Sequence, residues 1–224
     1  MPTTNVNLVN HPLVCELISK LRDVNTDSQL FRIYLNDITR LLLYDALSDL
    51  KTKRQKVPTQ TGEEYEGEVI NEKVAFVAIL RASLGMLASA MNFFPQGEFH
   101  VLGMKRNEED PYNNEPNFYL DRLHEMSPDI DRIVVMDPML ATGGSMVSAL
   151  KAICDRHKFK GKIQVASLIT AEKGANLIAE KFPKVTITCA GLDAKLNKNA
   201  YIIPGLGDAG DRLFGITTKL ESIR

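Results

Sequence analysis

The chain has 224 residues, a formal net charge of −1, and 44% hydrophobic and 25% charged residues, which suits one globular domain with a substantial core. That balance does not point to a nucleic-acid or membrane surface, though it leaves local basic patches open, and no apolar run approaches the ~20 residues that span a bilayer. Met1–Asn10 lacks the basic and apolar regions of a secretory signal, and Cys15, Cys154 and Cys189 are far apart without metal-ligand spacing. A cytoplasmic protein with reduced, mostly buried thiols is expected.

The first elements read as helical. Residues 12–22 form a short helix, and Thr26-Asp27-Ser28-Gln29 fits a capping box. Phe31, Tyr34, Leu35, Ile38, Leu41 and Leu42 follow at helical spacing, predicting an amphipathic helix to about Leu50. Its apolar face belongs on a core, with a share available to a partner subunit. Residues 51–73, basic and then acidic, read as a solvated loop with one short strand.

Lys73–Leu80 (KVAFVAIL) is a near-continuous apolar strand of the parallel, doubly covered kind. It ends in Arg81-Ala82-Ser83-Leu84-Gly85-Met86, and a helix carrying Leu87, Ala90 and Met91 follows. An arginine at the carboxyl end of a buried strand, beside a small-residue loop, suits a ligand with several negative charges. Residues 99–104 (FHVLGM) form another strand. From Lys105 to Pro128 the chain is polar and rich in Asn, Pro and Tyr, and so long an excursion is more often functional or mobile than inert. By its spacing alone, Arg106 reads as a solvated arginine.

The most informative stretch begins at Ile133. An apolar strand to Met136 gives way to Asp137, a short apolar loop, and then Thr142-Gly143-Gly144-Ser145. Helical spacing resumes at once through Met146, Ala149, Leu150 and Ile153. Strand, turn and helix point main-chain N–H groups at an anion, hydroxyls add donors, and the glycines let the backbone come close to a phosphate. Asp137 has the wrong sign for phosphate; its targets are a sugar diol, or a cation between sugar and phosphate. One turn serving both points to a ribose 5-phosphate, whereas Thr-Gly-Gly-Ser alone fits a helix cap in any α/β protein.

Lys162–Ile169 and Val185–Ala190 are further strands around a helix at Lys173–Phe182, which Pro183 stops. Strands alternating with helices indicate a parallel sheet with right-handed crossovers. His11, His100, His124 and His157 do not cluster and read as surface or packing residues. Tyr201–Gly215 (YIIPGLGDAGDRLFG) contains Gly-x-Gly-x-x-Gly at Gly205, Gly207 and Gly210, but the 14 residues after Gly210 are too few for a dinucleotide-binding βαβ unit. The glycines imply a tight loop that exposes main-chain donors and acceptors.

Three strings together, Asp137–Ser145, Arg81–Met86 and Tyr201–Gly215, resemble the uracil phosphoribosyltransferase family of type I phosphoribosyltransferases. The resemblance runs from about residue 10 to Gly215. It implies an α/β fold over a single domain, 1–224, with a mostly parallel central sheet flanked by helices. Within it are expected an N-terminal helical part (about 1–50), a projecting hairpin and flap (about 105–128) and a uracil-binding hood (about 191–215). The implied reaction transfers ribose 5-phosphate from phosphoribosyl pyrophosphate (PRPP) to N1 of uracil, giving UMP and diphosphate.

The resemblance also assigns residues. PRPP is contacted by Arg81, Arg106, Asp137, Pro138, Met139, Leu140, Ala141, Thr142, Gly143, Gly144, Ser145 and Asp208. Uracil is contacted by Tyr201, Ile202, Gly207, Asp208 and Ala209, largely through main chain, and Asp137, Asp208, Arg81 and Arg106 are the catalytic candidates. Uracil offers acceptor, donor, acceptor along one edge, which main-chain N–H, C=O and N–H complement; cytosine reverses two of these, and unpaired buried groups cost about 1–3 kcal/mol each. Mg²⁺ is implied, held mainly through PRPP and water, along with a homodimer or higher homo-oligomer and GTP as an effector. Pro138 stands where most type I loops carry a second acid, and Asp137–Ser145 resembles the variant of the uracil phosphoribosyltransferase family. The sequence departs from that family's pattern at Ser83, Lys198 and Ala200, where the family has Gly, Glu and Gly. A positive φ or a tight approach at Ser83 would strain the pyrophosphate loop, while Lys198 and Ala200 are expected to be peripheral. The alternatives are a phosphoribosyltransferase for another base, or a PRPP- or nucleotide-sensing regulator on the same fold.

Overall fold

Alternating apolar side chains that point to both faces of a sheet require cover on both faces, and the chain supplies it with two layers of helices. A computed structural model describes residues 5–105 and 116–216. In chain order its elements are β1 (Val6–Leu8), α1 (Pro12–Arg22), α2 (Ser28–Ala46), β2 (Thr52–Pro58), β3 (Glu64–Ile70), β4 (Val74–Leu80), α3 (Leu84–Phe93) and β5 (Glu98–Lys105). Then come β6 (Asn117–Asp121), β7 (Arg132–Met136), β8 (Met139–Leu140), α4 (Gly144–Lys151), β9 (Lys162–Ala171), α5 (Glu172–Lys181), β10 (Thr186–Asp193), β11 (Lys195–Leu196), β12 (Ile202–Ile203) and α6 (Ala209–Phe214).

The main sheet runs β1-β10-β9-β7-β4-β5-β6, with β8 added alongside β9. Neighbours are parallel throughout except β5 with β6. Phe76 and Ala78 of β4 and Val134 and Met136 of β7 face a core shared with α1, α2, α3 and α6. Ala75, Val77 and Ile79, with Ile133 and Val135, face the opposite core under α4 and α5. Period 2 along each strand and cover on both sides explain why these runs contain so little polarity.

Several expectations change. Residues 51–73 hold two seven-residue strands in an antiparallel hairpin, not a loop with one strand. The hairpin escapes a search for apolar alternation because nearly every side chain in it is exposed. Cross-strand polar pairs join it, Lys56–Glu64 at 2.7 Å and Thr52–Glu68 at 2.9 Å. The N-cap of α2 is Asp27, one residue later than the capping box places it. Its carboxylate accepts from Leu30 N–H at 2.8 Å, while the Thr26 hydroxyl instead donates back to Lys20 O at 2.6 Å. Helix α2 ends at Ala46 rather than near Leu50, which lets Asp49 turn toward the sheet. Of the thiols only Cys189 is buried; Cys15 is exposed on the outer face of α1 and Cys154 is intermediate. Of the 105–128 excursion, residues 106–115 lie outside the described residues, and Arg106 with them. Among the described residues no helix is long and apolar enough to cross a membrane.

The amino-terminal edge of the sheet is closed by ions. Arg132, only 2% exposed, donates to Asp49 at 2.6 Å and to Gln164 Oε1 at 2.9 Å. It also meets Glu72 at 2.7 Å, as a charge contact rather than an aligned hydrogen bond. Lys162 pairs with Asp49 too. Burial pulls the Asp49 pKa upward, but hydrogen bonds from Arg132 and Lys162 outweigh it and hold the value at about 2. A depressed folded-state pKa contributes stability above the ordinary carboxylate value of 3.8 and loses it as pH falls through about 2. Asp49→Asn should therefore melt below wild type at neutral pH, with the gap closing as pH drops from about 4 toward about 2. Identical melting curves at neutral pH would contradict this.

Candidate active site

Strands β4 and β7 lie side by side and parallel, with Ala78 opposite Met136. From β4 the chain crosses to β5 on one side, and from β7 to β9 on the other. Such a switch point leaves a crevice at the carboxyl ends of the two strands, where α/β sheets bind ligands. The two loops picked out from the sequence, Arg81–Ser83 and Asp137–Gly143, both start at this edge.

The second loop is held from behind. Pro138 O accepts from Leu168 N–H at 3.2 Å and Ile169 N–H at 3.1 Å, and Met139 and Leu140 pair with β9. Asp137 is 6% exposed, and its carboxylate receives Met139 N–H at 3.4 Å. Gly143 is the N-cap of α4 at φ 89, a left-handed conformation that suits glycine. The first α4 turn closes with Val147 N–H to Gly143 O at 2.8 Å, so the N–H groups of Gly144, Ser145 and Met146 stand at the positive end of the helix. A Cβ at Gly144 would meet nothing nearer than Thr142 Oγ1 at 3.8 Å, so that side of the loop has open space for an anion. Behind Gly143, α5 approaches at Gly174, where a Cβ would lie 2.6 Å from Ala141 O and 3.1 Å from Leu140 O.

The first loop resolves the concern over Ser83. Its φ is −81, so no left-handed conformation is demanded of it. The side chain is fully buried, with its hydroxyl donating to Ile79 O. Arg81 is exposed, its guanidinium 6.0 Å from the Phe214 ring of α6.

The hood follows β10. Strands β11 and β12 pair antiparallel, Leu196 with Ile202 and Lys195 with Ile203. Asn197 organises the turn between them: its side-chain oxygen accepts from Asn199 N–H and Tyr201 N–H, both at 2.9 Å. Ile202, Leu206, Ala209 and Leu213 are buried in the α1–α2–α3 core, leaving Gly207 and Asp208 half-buried between them. Asp208 caps α6, accepting from Asp211 N–H at 2.9 Å. A Cβ on Gly210 would lie 3.8 Å from the Ala82 Cβ, so α6 sits against the arginine loop. The structure thus gathers Arg81, Asp137–Ser145 and Tyr201–Ala209 on and over one edge of the sheet.

The residues that hold this arrangement have roles that the sequence does not show, although Asp193 matches an Asp of the family pattern. Asp193 at the end of β10 accepts two hydrogen bonds from Arg22, both at 2.7 Å. Arg212 of α6 donates to Leu206 O and Asp23 O, both at 2.9 Å, and to Leu21 O, and lies 4.4 Å from the Phe31 ring. Gly174 had a readable signal, a glycine inside a helical pattern, which usually marks close packing. Lys198 is exposed, but Ala200 is buried with φ 61, a left-handed conformation that its methyl group disfavours. A cavity of about 480 Å³ lined by Thr142, Lys173, Asn176 and Ala194, with Glu172 and Glu180, flanks the phosphate-type loop; its two acids make it a poor phosphate site. Among the described residues no group of three or more His, Cys, Asp or Glu could hold a metal ion. One buried carboxylate beside an anion loop does fit Mg²⁺, which commonly takes one or two carboxylates plus phosphate oxygens and water.

A family model described as "Uracil phosphoribosyltransferase" matches residues 8–216. The chain is 39% identical to the uracil phosphoribosyltransferase of Metamycoplasma hominis, over 96% of this chain and 100% of that one. It is 42% identical to that of Dictyoglomus turgidum, over 94% and 99%. Among solved structures, the AQ2163 protein from Aquifex aeolicus superposes with a TM-score of 0.86 at 35% identity, covering 96% of this chain and 100% of that one.

Two substitutions test the site's packing. Gly174→Ala must displace main chain at Ala141, at an overpacking cost of about 1–3 kcal/mol, and should weaken ribose 5-phosphate binding about tenfold by titration calorimetry. Undiminished affinity would show that the loop does not depend on this contact. Ala200→Gly relieves the left-handed alanine and should raise unfolding free energy by about 1 kcal/mol in denaturant titrations. An unchanged or lower value would contradict that strain.

Proposed function

Because the chain belongs to the uracil phosphoribosyltransferase family, we propose that the strand-end crevice and the hood over it form one active site for that family's reaction. The reaction transfers ribose 5-phosphate from PRPP to N1 of uracil, yielding UMP and diphosphate, a step of pyrimidine salvage. The C1–oxygen bond to pyrophosphate breaks, the C1–N1 bond forms, and the N1 proton leaves. The observation that carries the assignment of roles is Gly143 in left-handed conformation opening α4 directly after the buried Asp137, at the β4–β7 switch point.

Ala141 to Ser145 hold the 5-phosphate through the first-turn N–H groups and the hydroxyls, and Pro138 to Leu140 line the approach. Asp137 takes the ribose hydroxyls and favours the positive charge that develops at C1. Asp208 assists from the hood side, where its capping bond fixes its orientation. Arg81 neutralises the departing pyrophosphate, and Arg106 is assigned the same task from the family pattern. Asp137 is the carboxylate that would hold Mg²⁺ together with PRPP oxygens and water, and the ion would supply further neutralisation of the pyrophosphate. Main-chain groups at Ile202 and Gly207–Ala209 read the uracil edge, with Tyr201 shaping the pocket. Holding both reactants in one crevice adds proximity and orientation to this charge stabilisation. The same reading carries a homo-oligomer and GTP as an effector, both from family membership; light scattering, and the assay repeated with GTP, test them.

The regulator alternative draws its support from Ser83, whose negative φ and satisfied hydroxyl remove the expected strain. Incubation with PRPP, Mg²⁺ and a panel of bases should give UMP from uracil and no product from cytosine, adenine or hypoxanthine. Another nucleotide, or none, would overturn the function. Asp137→Asn should cut UMP turnover about 10²-fold with little change in melting temperature. Turnover equal to wild type would remove the role given to Asp137.

A further inference from the structure

We propose that the Arg22–Asp193 pair is a positioning element that sets the height of the hood over the base and so governs uracil affinity separately from PRPP affinity, a role that rests on the active-site reading above and deepens it. The hood has little regular structure of its own, only the two-residue strands β11 and β12 and the six-residue α6. Its position must therefore come from outside.

Asp193, 7% exposed, is where the chain leaves the sheet for the hood. Each of its carboxylate oxygens accepts a guanidinium N–H from Arg22 at 2.7 Å, and Oδ2 also accepts Gly205 N–H at 3.0 Å. Arg22 Nη1 in turn donates to Gly205 O at 2.9 Å. One ion pair thereby holds both main-chain polar groups of Gly205, a residue between Ile202 and Gly207. Gly205 has no freedom to be anything else: its φ is 61, and a Cβ there would lie 2.0 Å from Ile202 O. The clasp thus fixes the middle of the segment whose main chain faces uracil.

Other contacts carry the rest. Arg212 and Arg32, which donates to Leu213 O at 2.9 Å, hold α6, and Arg212 also donates to Leu206 O, one residue past Gly205, at 2.9 Å. The phosphate loop is held by β9 and α5. Removing the clasp should leave the fold and the PRPP half in place while the middle of the hood shifts. A bidentate fork on a carboxylate is a geometry that lysine cannot reproduce, so retaining the charge alone should restore only part of the effect.

The test uses the full chain with Asp193→Asn and Arg22→Lys, measuring melting temperature and the KM for each substrate. Asp193→Asn should raise KM for uracil about tenfold or more while KM for PRPP stays within about twofold. Arg22→Lys should fall between that variant and wild type, and hydrogen exchange should rise in hood peptides around Gly205 in both. An unchanged KM for uracil, an equal rise for both substrates, or loss of the fold in both variants would overturn the pair's role. A wild type that forms no UMP would instead overturn the underlying reading, so the two failures are distinguishable.

Discussion

The hydrogen-bonded register that sets Ala78 beside Met136 ends two buried parallel strands at one edge and sends their chains off in opposite directions. Among the described residues, the groups proposed to face an anion, Arg81 and the loop after Asp137, follow from that divergence. Arg81 sits where one chain turns away, and Asp137 begins the other. The loop after Asp137 cannot collapse into the gap, because Pro138 O and strand β8 tie it to β9. Gly143 then turns left-handed, and α4 starts with its amino end toward the crevice. Positive charge, helix dipole and a single carboxylate are thus separated by backbone geometry rather than by flexible side chains, the kind of preorganisation that electrostatic catalysis requires.

The second half of the proposed site comes from remote parts of the chain. The α1–α2 hairpin serves as a platform on which the carboxyl-terminal segment is hung. Phe31 lies under the Arg212 guanidinium, and carbonyls from Leu21 to Thr26 accept its N–H groups. Burial draws the Arg212 pKa down from its ordinary value, opposed by nearby Asp23. An arginine starts so far above neutrality that it stays charged, so these charge-assisted bonds persist across the working pH range. Base reading by main chain demands such support, since a mobile loop has no fixed pattern of donors and acceptors.

How much of this is legible from the residues depends on the range of the interaction. Strands β4, β7, β9 and β10 and helices α1, α3, α4 and α5 are readable because doubly covered strands and amphipathic helices carry their burial pattern locally. The anion loop is readable because hydroxyls, glycines and helix start fall within a few residues. The β2–β3 hairpin is not, because its strands are joined by polar and charged pairs rather than by an apolar stripe. The edge strands β1 and β6 are too short or too exposed to show alternation. The roles of Arg22, Asp193 and Arg212 stay hidden for a different reason: the Arg22–Asp193 pair spans 171 residues, and Arg212 reaches carbonyls as far as 191 residues away. Ala200 reads as peripheral although the family has Gly there, and its φ of 61 shows that a side chain is out of place.

The proposed site divides in space, with phosphate on the amino end of α4 and a flat base under the main chain of the hood. A crystal structure of the chain with UMP bound tests that division most directly. The expected result is the 5′-phosphate on the N–H groups of Gly144 and Ser145, the ribose hydroxyls on Asp137, and the uracil edge on main-chain atoms of Ile202 and Ala209. Phosphate bound elsewhere, or a base read by side chains away from Tyr201–Ala209, would contradict it.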